Sequence, residues 1–315
     1  HEPLKTLFQA LGSEVGKWST GEVEDEAELY PLLYTPSKAL QRTAFSILHR
    51  VIPAAQEQVS FDAALEKKAA KLPEELLSLL LAPPTLDSLA DASFRTGIPH
   101  ELQAYLYSWQ LIFDHFANSS YQVKSDYVEA LREGEYLGNL LDLTWELLGH
   151  VRGRPIDVSK YDIRRYDYLD QQGDLEGLSA DKRMHWLLAH LYYQALMHVP
   201  SLTKAEYLTI KSRQTGLAVE TWTAKYIAPL IVSASLDSVS QWADDVKTDP
   251  EYEGWSVKVS PRSREVQFSY LVDEQTMSIV IRLPETYPLA SARVEGLNRV
   301  AADERKWQSW LRNCQ

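Results

Sequence analysis

The sequence predicts a multidomain α + β protein: an α-solenoid of stacked helix pairs, followed by a smaller α+β module with an antiparallel sheet. Three observations carry this. Apolar residues recur at helical spacing through most of the first 235 positions, in segments joined by short polar turns. After residue 250 the apolar period changes from 3.6 to 2. The chain has 315 residues, room for about two domains. No internal repeat is legible, so an irregular helical bundle is the alternative for the first part.

The elements follow in order. Leu4, Leu7, Phe8, Leu11, Val15 and Trp18 mark a first helix, and the acidic stretch 21–28 reads as a solvated loop. Thr35-Pro36 is expected to open the next helix, and Pro53 to end it. Pro73 begins a short helix that Pro83-Pro84 stops. Pro99 leads a longer one whose buried face carries Leu102, Leu106, Trp109, Ile112, Phe113 and Phe116. Asn118-Ser119-Ser120 matches a glycosylation sequon but reads as a helix-terminal loop, because the start His-Glu-Pro-Leu-Lys is no secretory signal. Helices follow around 123–131 and 136–148. Residues 149–177 are irregular, and 181–199 are helical again. Thr203-Lys-Ala-Glu206 reads as a capping box, and Gly216 as the residue before another helix. After Pro229 a last apolar helix runs to Trp242. Then Trp255, Val257 and Val259, next Val266, Phe268, Tyr270 and Val272, and next Met277, Ile279, Ile281 and Leu283 alternate with polar residues. Turns at 261–264 and 273–274 separate them, which predicts an antiparallel meander with one buried face. A short strand near 292–295 follows, and Asp303 caps a final helix with Trp307, Trp310 and Leu311.

Composition narrows the function. One cysteine, Cys314, allows neither an internal disulfide nor a cysteine-rich zinc site. The apolar runs 76–81 and 227–232 are far short of the ~20 residues a bilayer span needs, so no membrane association is expected. The net charge of −12 sits wholly in the first 250 residues, which argues against broad contact with nucleic-acid phosphates there. Residues 251–315 are neutral, with local basic clusters. A chain that begins at His1 and ends at Gln315 reads as a fragment of something longer.

No catalytic constellation stands out. His185, His190 and His198 lie on one helical segment without the i, i+4 spacing of a zinc pair, and read as packing or surface residues. Asp114 and His115 are neighbours on a helix and point to different faces. There is no nucleophile elbow, P-loop or GxGxxG motif. Gly134 and Gly138 read as a close helix contact, and Cys314 lacks the surroundings that lower a thiol's pKa. The residues alone suggest an interaction module or scaffold.

Met277-Ser-Ile-Val-Ile-Arg-Leu-Pro-Glu-Thr-Tyr-Pro-Leu289 resembles the central strand and Tyr-Pro turn of an RWD domain, a fold related to E2 conjugating enzymes. The tail Asp303-Glu-Arg-Lys-Trp-Gln-Ser-Trp-Leu-Arg-Asn-Cys-Gln315 continues it as in the listerin family of RING-type E3 ubiquitin ligases. His190-Leu-Tyr-Tyr-Gln-Ala-Leu-Met-His-Val-Pro-Ser-Leu202 and Val219-Glu-Thr-Trp-Thr-Ala-Lys-Tyr-Ile-Ala-Pro-Leu230 resemble that family's last helical repeats. The resemblance implies HEAT-like repeats over 1–215 and an RWD domain with its leading helices over 216–315. It implies a cytoplasmic, ribosome-associated parent enzyme that ubiquitinates stalled nascent chains. Its implied partners are the large ribosomal subunit, nascent-chain quality-control factors, and an E2 enzyme reached only through a RING. A RING needs about eight Cys/His ligands, so it would begin after Gln315. This chain itself is then expected to have no catalytic residues and no cofactor, zinc belonging to the RING. An E2-like activity is set aside, because residues 284–313 contain no cysteine to serve as the nucleophile. The family's second proline after the Tyr-Pro turn is replaced by Leu-Ala-Ser-Ala292, which predicts a less rigid turn.

Two basic clusters are the candidate ribosome contacts: Lys258, Arg262 and Arg264 at the first hairpin, and Arg299, Arg305 and Lys306 around the start of the last helix. Tyr287 and Pro288 are expected to be structural.

Overall fold

The computed structural model describes residues 26–85, 89, 97–166, 168, 179–248, 252–272, 274–299 and 303–313. The chain divides into two compact units, residues 1–206 and 207–315.

In the first unit a 3-10 helix, Glu26–Tyr34, precedes α1 (Lys38–Glu66), α2 (Glu74–Ser78), α3 (His100–Asp114), α4 (Tyr121–Glu133), α5 (Leu137–Leu147) and α6 (Ala180–His198). The helix expected over residues 4–18 lies outside the described residues. So does most of the acidic stretch, of which Glu26–Glu28 begin the 3-10 helix. Pro36 does not open α1. The cap is Ser37, whose hydroxyl accepts from the Leu40 amide, while Thr35 donates back to the Leu32 carbonyl at 2.8 Å.

Pro53 does not end α1 either; the helix continues for 13 residues beyond it. An interior proline costs about 3 kcal/mol. The far half is held by the loop between α3 and α4. Asn118 donates to the Pro53 carbonyl (3.2 Å), and the Ser120 amide donates to Ser60 Oγ (2.9 Å). Buried Gln56 accepts from the Tyr127 hydroxyl (3.0 Å) and from Ser119 (3.2 Å). Four such bonds at about 0.5–1.5 kcal/mol each are of the right size to offset the proline. Gln56→Ala is expected to lower stability by about 2–4 kcal/mol in a urea titration, because it strands the buried Tyr127 hydroxyl. A loss under 0.5 kcal/mol would show that the proline is accommodated by something else.

Helix α3 has Pro99 at its N-terminal boundary as expected, but its burial is not confined to one face. Every residue from Leu102 to Asp114 is buried, polar ones included, because α3 packs against both α1 and α6. Several of its buried polar side chains are hydrogen-bonded, whereas the Tyr105 hydroxyl and the Trp109 indole N–H have no hydrogen-bond partner among the described residues. Gln103 donates to the Tyr107 hydroxyl (2.6 Å), and Gln110 bridges Tyr168 (2.6 Å) and Asp114 (2.8 Å). Residues 149–166 are irregular, as read.

The division between the units falls within α7 (Pro200–Thr209). Thr203 does not form a capping box. It sits buried inside the helix, and its hydroxyl reaches the Val199 (3.0 Å) and Ala195 (3.2 Å) carbonyls. The helix had already begun at Pro200, so the threonine has no orphan amide to cap. In the second unit α8 (Arg213–Tyr226) starts before Gly216, with Ser212 accepting from the Thr215 amide. Helix α9 (Ala228–Thr248) runs past Trp242.

Strands β1 (Trp255–Ser260), β2 (Glu265–Val272), β3 (Gln275–Arg282) and β4 (Arg293–Asn298) form one antiparallel sheet in that order, followed by α10 (Glu304–Asn313). Val257 pairs with Phe268, and Val259 with Val266, so these four share a face. They pack with Leu283 and Tyr287 on Val232, Leu236 and Val239 of α9, which forms this unit's core. The expectation of a single buried face fails on β3, where Ser278 and Val280 of the polar face are buried and Ile279 and Ile281 are half-buried. Strand β3 is internal, and Val280 lies in register between Gln267 and Glu295. Arg282 forms ion pairs with both Glu265 (2.6 Å) and Glu295 on that same face, a row of long side chains whose stems cover apolar surface.

Candidate functional site

The turn Pro261–Arg264 closes the β1–β2 hairpin. Arg264 sits at φ 54°, and its amide donates to the Pro261 carbonyl at 3.2 Å. The Leu283 amide then donates to the Arg264 carbonyl (2.9 Å), which ties the turn to the end of β3. The Arg264 guanidinium reaches Glu285 at 3.3 Å, an exposed pair worth at most about 1 kcal/mol. Arg262 is exposed and makes no ion pair among the described residues. Both arginines face a pocket of about 330 Å³. Its wall comes from the first turns of α9, with Ala228, Pro229, Val232 and Leu236. Ser233 and Asp237 continue its rim on the helix side, and Glu285 on the strand side.

Lys258 does not join this group. It pairs with Gln267 and lies on the sheet face opposite Val257 and Val259, whereas the arginines sit beside α9. Strand parity carries that separation, since Lys258 alternates with two core valines. Asp237, Ser233 and Pro229 were not among the expected site residues. They lie on a helix some 25–35 positions upstream, and only the packing of α9 on the sheet brings them to the turn.

The second cluster is looser. Arg299 follows β4 and pairs with Glu304. Arg305 and Lys306 stand exposed in the first turn of α10, where cations oppose the helix dipole. Asp303, accepting from the Lys306 amide at 2.9 Å, and Glu304 offset them there. Tyr287 donates its amide to the Pro284 carbonyl (3.1 Å), its ring joins the core under the sheet, and the Tyr287–Pro288 peptide is cis.

Several titratable groups of the helical unit are buried in its packing. His49 Nδ1 lies 2.7 Å from the Asp114 carboxylate, which burial pushes up. The rings of Phe45 and Tyr168 pack on the His49 imidazole, and the Tyr107 ring packs on both of them. Asp114 and His115 do face different ways: the His115 Nδ1 meets the Leu111 carbonyl at 2.7 Å. His190 Nδ1 meets the Ile163 carbonyl at 2.8 Å, and His198 packs on Phe113 and Phe116. Among the described residues no group of three His, Cys, Asp or Glu could hold a metal, and no helix is long and apolar enough to cross a membrane. Cys314 lies outside the described residues.

Comparison with known families divides the chain in the same manner as its periodicity. Residues 19–240 match the LTN1 family HEAT repeat region, and residues 255–315 match a ubiquitin conjugating domain-like family. The E3 ubiquitin-protein ligase listerin of Neurospora crassa is 39% identical over 317 residues, covering 99% of this chain and 20% of that protein. Listerin of Schizosaccharomyces pombe is 35% identical over 75% of the chain and 14% of its own length, and that of Saccharomyces cerevisiae 27% identical over 67% and 13%. The chain thus spans about a fifth or less of the length of these relatives.

Proposed function

This chain belongs to the listerin family of E3 ubiquitin-protein ligases, comprising a HEAT repeat region and a ubiquitin conjugating domain-like (E2-like) domain, and on that premise we propose that it is the part which docks the ligase on the large ribosomal subunit. In this reading the E2-like unit rests near the exit tunnel and holds a RING over stalled nascent chains. Ubiquitin transfer belongs to the whole enzyme, with an E2 engaged through the RING, and the setting is the cytosol. The observation that supports docking is the charge arrangement. The excess of negative charge lies in the first 250 residues, while residues 251–315 are neutral and present exposed Arg262 and half-buried Arg264 at the hairpin turn, with exposed Lys258 nearby on the other face of the sheet. Such a group suits a surface that presents phosphates.

The test is co-sedimentation of the chain with isolated large subunits across a salt series. Reversal of all three positions (Lys258→Glu, Arg262→Glu, Arg264→Glu) is expected to weaken binding at least tenfold. It should also flatten the salt dependence by roughly two to three counterions if phosphates are the contact. Unchanged binding at low and moderate salt would remove the hairpin from the interface. The same reversal at Arg299, Arg305 and Lys306 asks the question of the second cluster.

A further inference from the structure

Aromatic side chains stand exposed at the opposite end of β1 from the arginine turn, about 17 Å away along the strand. Trp255 opens β1 and is 44% exposed, and Trp242 on α9 is 40% exposed. The two belong to one surface. Trp255 pairs across the sheet with Tyr270, their ring centroids 5.1 Å apart, and Tyr270 pairs in turn with Met277. These three side chains share the face on which α9 packs. The Trp242 ring lies 6.1 Å from that of Phe268, two residues before Tyr270, and 6.2 Å from that of Tyr252. Tyr252, Phe268, Tyr270 and Met277 are only half-buried. A contiguous row of aromatic rings left in water marks a binding surface, because large rings otherwise gain most from burial.

The net charge around this row is negative. Asp245 stands about one helical turn beyond Trp242, so it lies on the same side of α9. Glu253 precedes Trp255 by two residues, and Glu274 sits in the β2–β3 turn, which closes at the Trp255 end of the sheet. All three carboxylates are exposed. Lys247 nearby is already paired with Asp244 at 2.8 Å. The carbonyl end of α9 at Thr248 adds negative potential. Aromatic faces attract cations through their quadrupole, and a guanidinium stacks on them flat. Carboxylates beside the rings supply the charge-assisted hydrogen bonds that a stacked guanidinium needs.

We propose that this surface binds an extended, arginine-rich polypeptide segment whose guanidinium groups stack on Trp255 and Trp242 and pair with Glu253 and Glu274. The rings distinguish the site from general attraction to an acidic chain, which needs no tryptophan in water. Nucleic-acid bases also stack on tryptophan, but their phosphates would meet the carboxylates of the rim. The surface is separate from the arginine turn, and the inference does not rest on ribosome docking.

The probe is a fluorescent nonapeptide of alternating arginine and glycine, titrated against the whole 315-residue chain and read by anisotropy. Its control carries citrulline, the neutral isostere, in place of arginine. Trp255→Leu keeps an apolar side chain and the charge of the chain but removes the ring face. Saturable binding of the arginine peptide is expected, about fivefold or more weaker in Trp255→Leu and largely kept in Trp255→Phe. Glu253→Lys combined with Glu274→Lys leaves the rings in place and should weaken binding comparably. The citrulline peptide should bind at least tenfold less tightly. Circular dichroism confirms that each variant is folded. The triple reversal at the arginine turn should not weaken the peptide, so this proposal and the docking reading fail separately. Absence of saturable binding would overturn the proposal. Binding indifferent to Trp255→Leu would overturn it too, since it would report only attraction to an acidic chain. So would an RNA oligonucleotide that binds more tightly than the peptide and loses affinity in Trp255→Leu.

Discussion

Lowering the pH from 7 to 4.5 is expected to unfold the helical unit, with the loss of stability beginning near pH 6.5. His115, His150, His190 and His198 are each held at about pH 4 by burial, which disfavours the charged imidazolium. Three of them are 1–4% exposed, so water cannot relieve the penalty. The sign follows from proton uptake. The unfolded chain binds a proton at each site near pH 6.5, whereas the folded chain resists until about pH 4. The stabilisation is therefore complete above pH 6.5 and is lost as pH falls towards 4. Each site contributes roughly 3 kcal/mol over that window, and four together reach the order of 10 kcal/mol, comparable with the whole stability of a typical domain. Asp114, whose carboxyl is raised by burial, acts in the opposite direction and offsets part of this. Urea midpoints followed by circular dichroism between pH 7.5 and 4.5 should fall steeply. His198→Phe keeps the stack on Phe113 and Phe116 and removes one titrating group, so it should reduce the slope by about 1.4 kcal/mol per pH unit. A midpoint that stays level from pH 6.5 to 4.5 would show that these imidazoles are not buried as neutral groups.

Trp307→Ala should release α10 from the E2-like unit at a cost of about 3–5 kcal/mol. Trp307 is the buried residue of this ten-residue helix, at 6% exposure, while Trp310 beside it is 48% exposed. Its indole lies directly over Gly296 in β4, so close that a Cβ there would overlap the ring. Gly296→Val is therefore expected to have a similar effect from the other side of the contact, by expelling the indole. A helix this short is marginal in water once unanchored. Amide exchange of α10 should rise to near the unprotected rate in both variants, while that of β2 and β3 stays slow. Protection of α10 that survives either substitution would mean that Trp307 is not its anchor.

Much of this was legible in the residues, and the failures share a cause. Alternation in Val257, Val259, Val266 and Phe268 located the sheet and its core face. Proline placed the starts of α2 and α3, because its effect on a helix start is local, whereas the Ser120 cap of α4 was read only as part of a loop. The errors came where distant groups decide. Pro53 reads as a stop until Asn118, Ser119, Ser120 and Tyr127 are seen to hold the helix beyond it. Thr203 and Glu206 have capping-box spacing, but the helix begins three residues earlier. Helix α3 has an amphipathic pattern, yet neighbours on both sides bury all of it. At the candidate site, Arg262 and Arg264 were visible as a cluster, whereas Asp237 and Ser233 became neighbours only through folding. Nothing local distinguishes those two from any exposed helix residue.

The central claim is that this listerin-family segment binds the large ribosomal subunit. The direct measurement is equilibrium sedimentation of the labelled chain with purified large subunits, with small subunits in parallel. Saturable binding to large subunits, absent or at least tenfold weaker with small ones, is the predicted result. Binding that is equal for the two subunits, or missing from both at low salt, would contradict it.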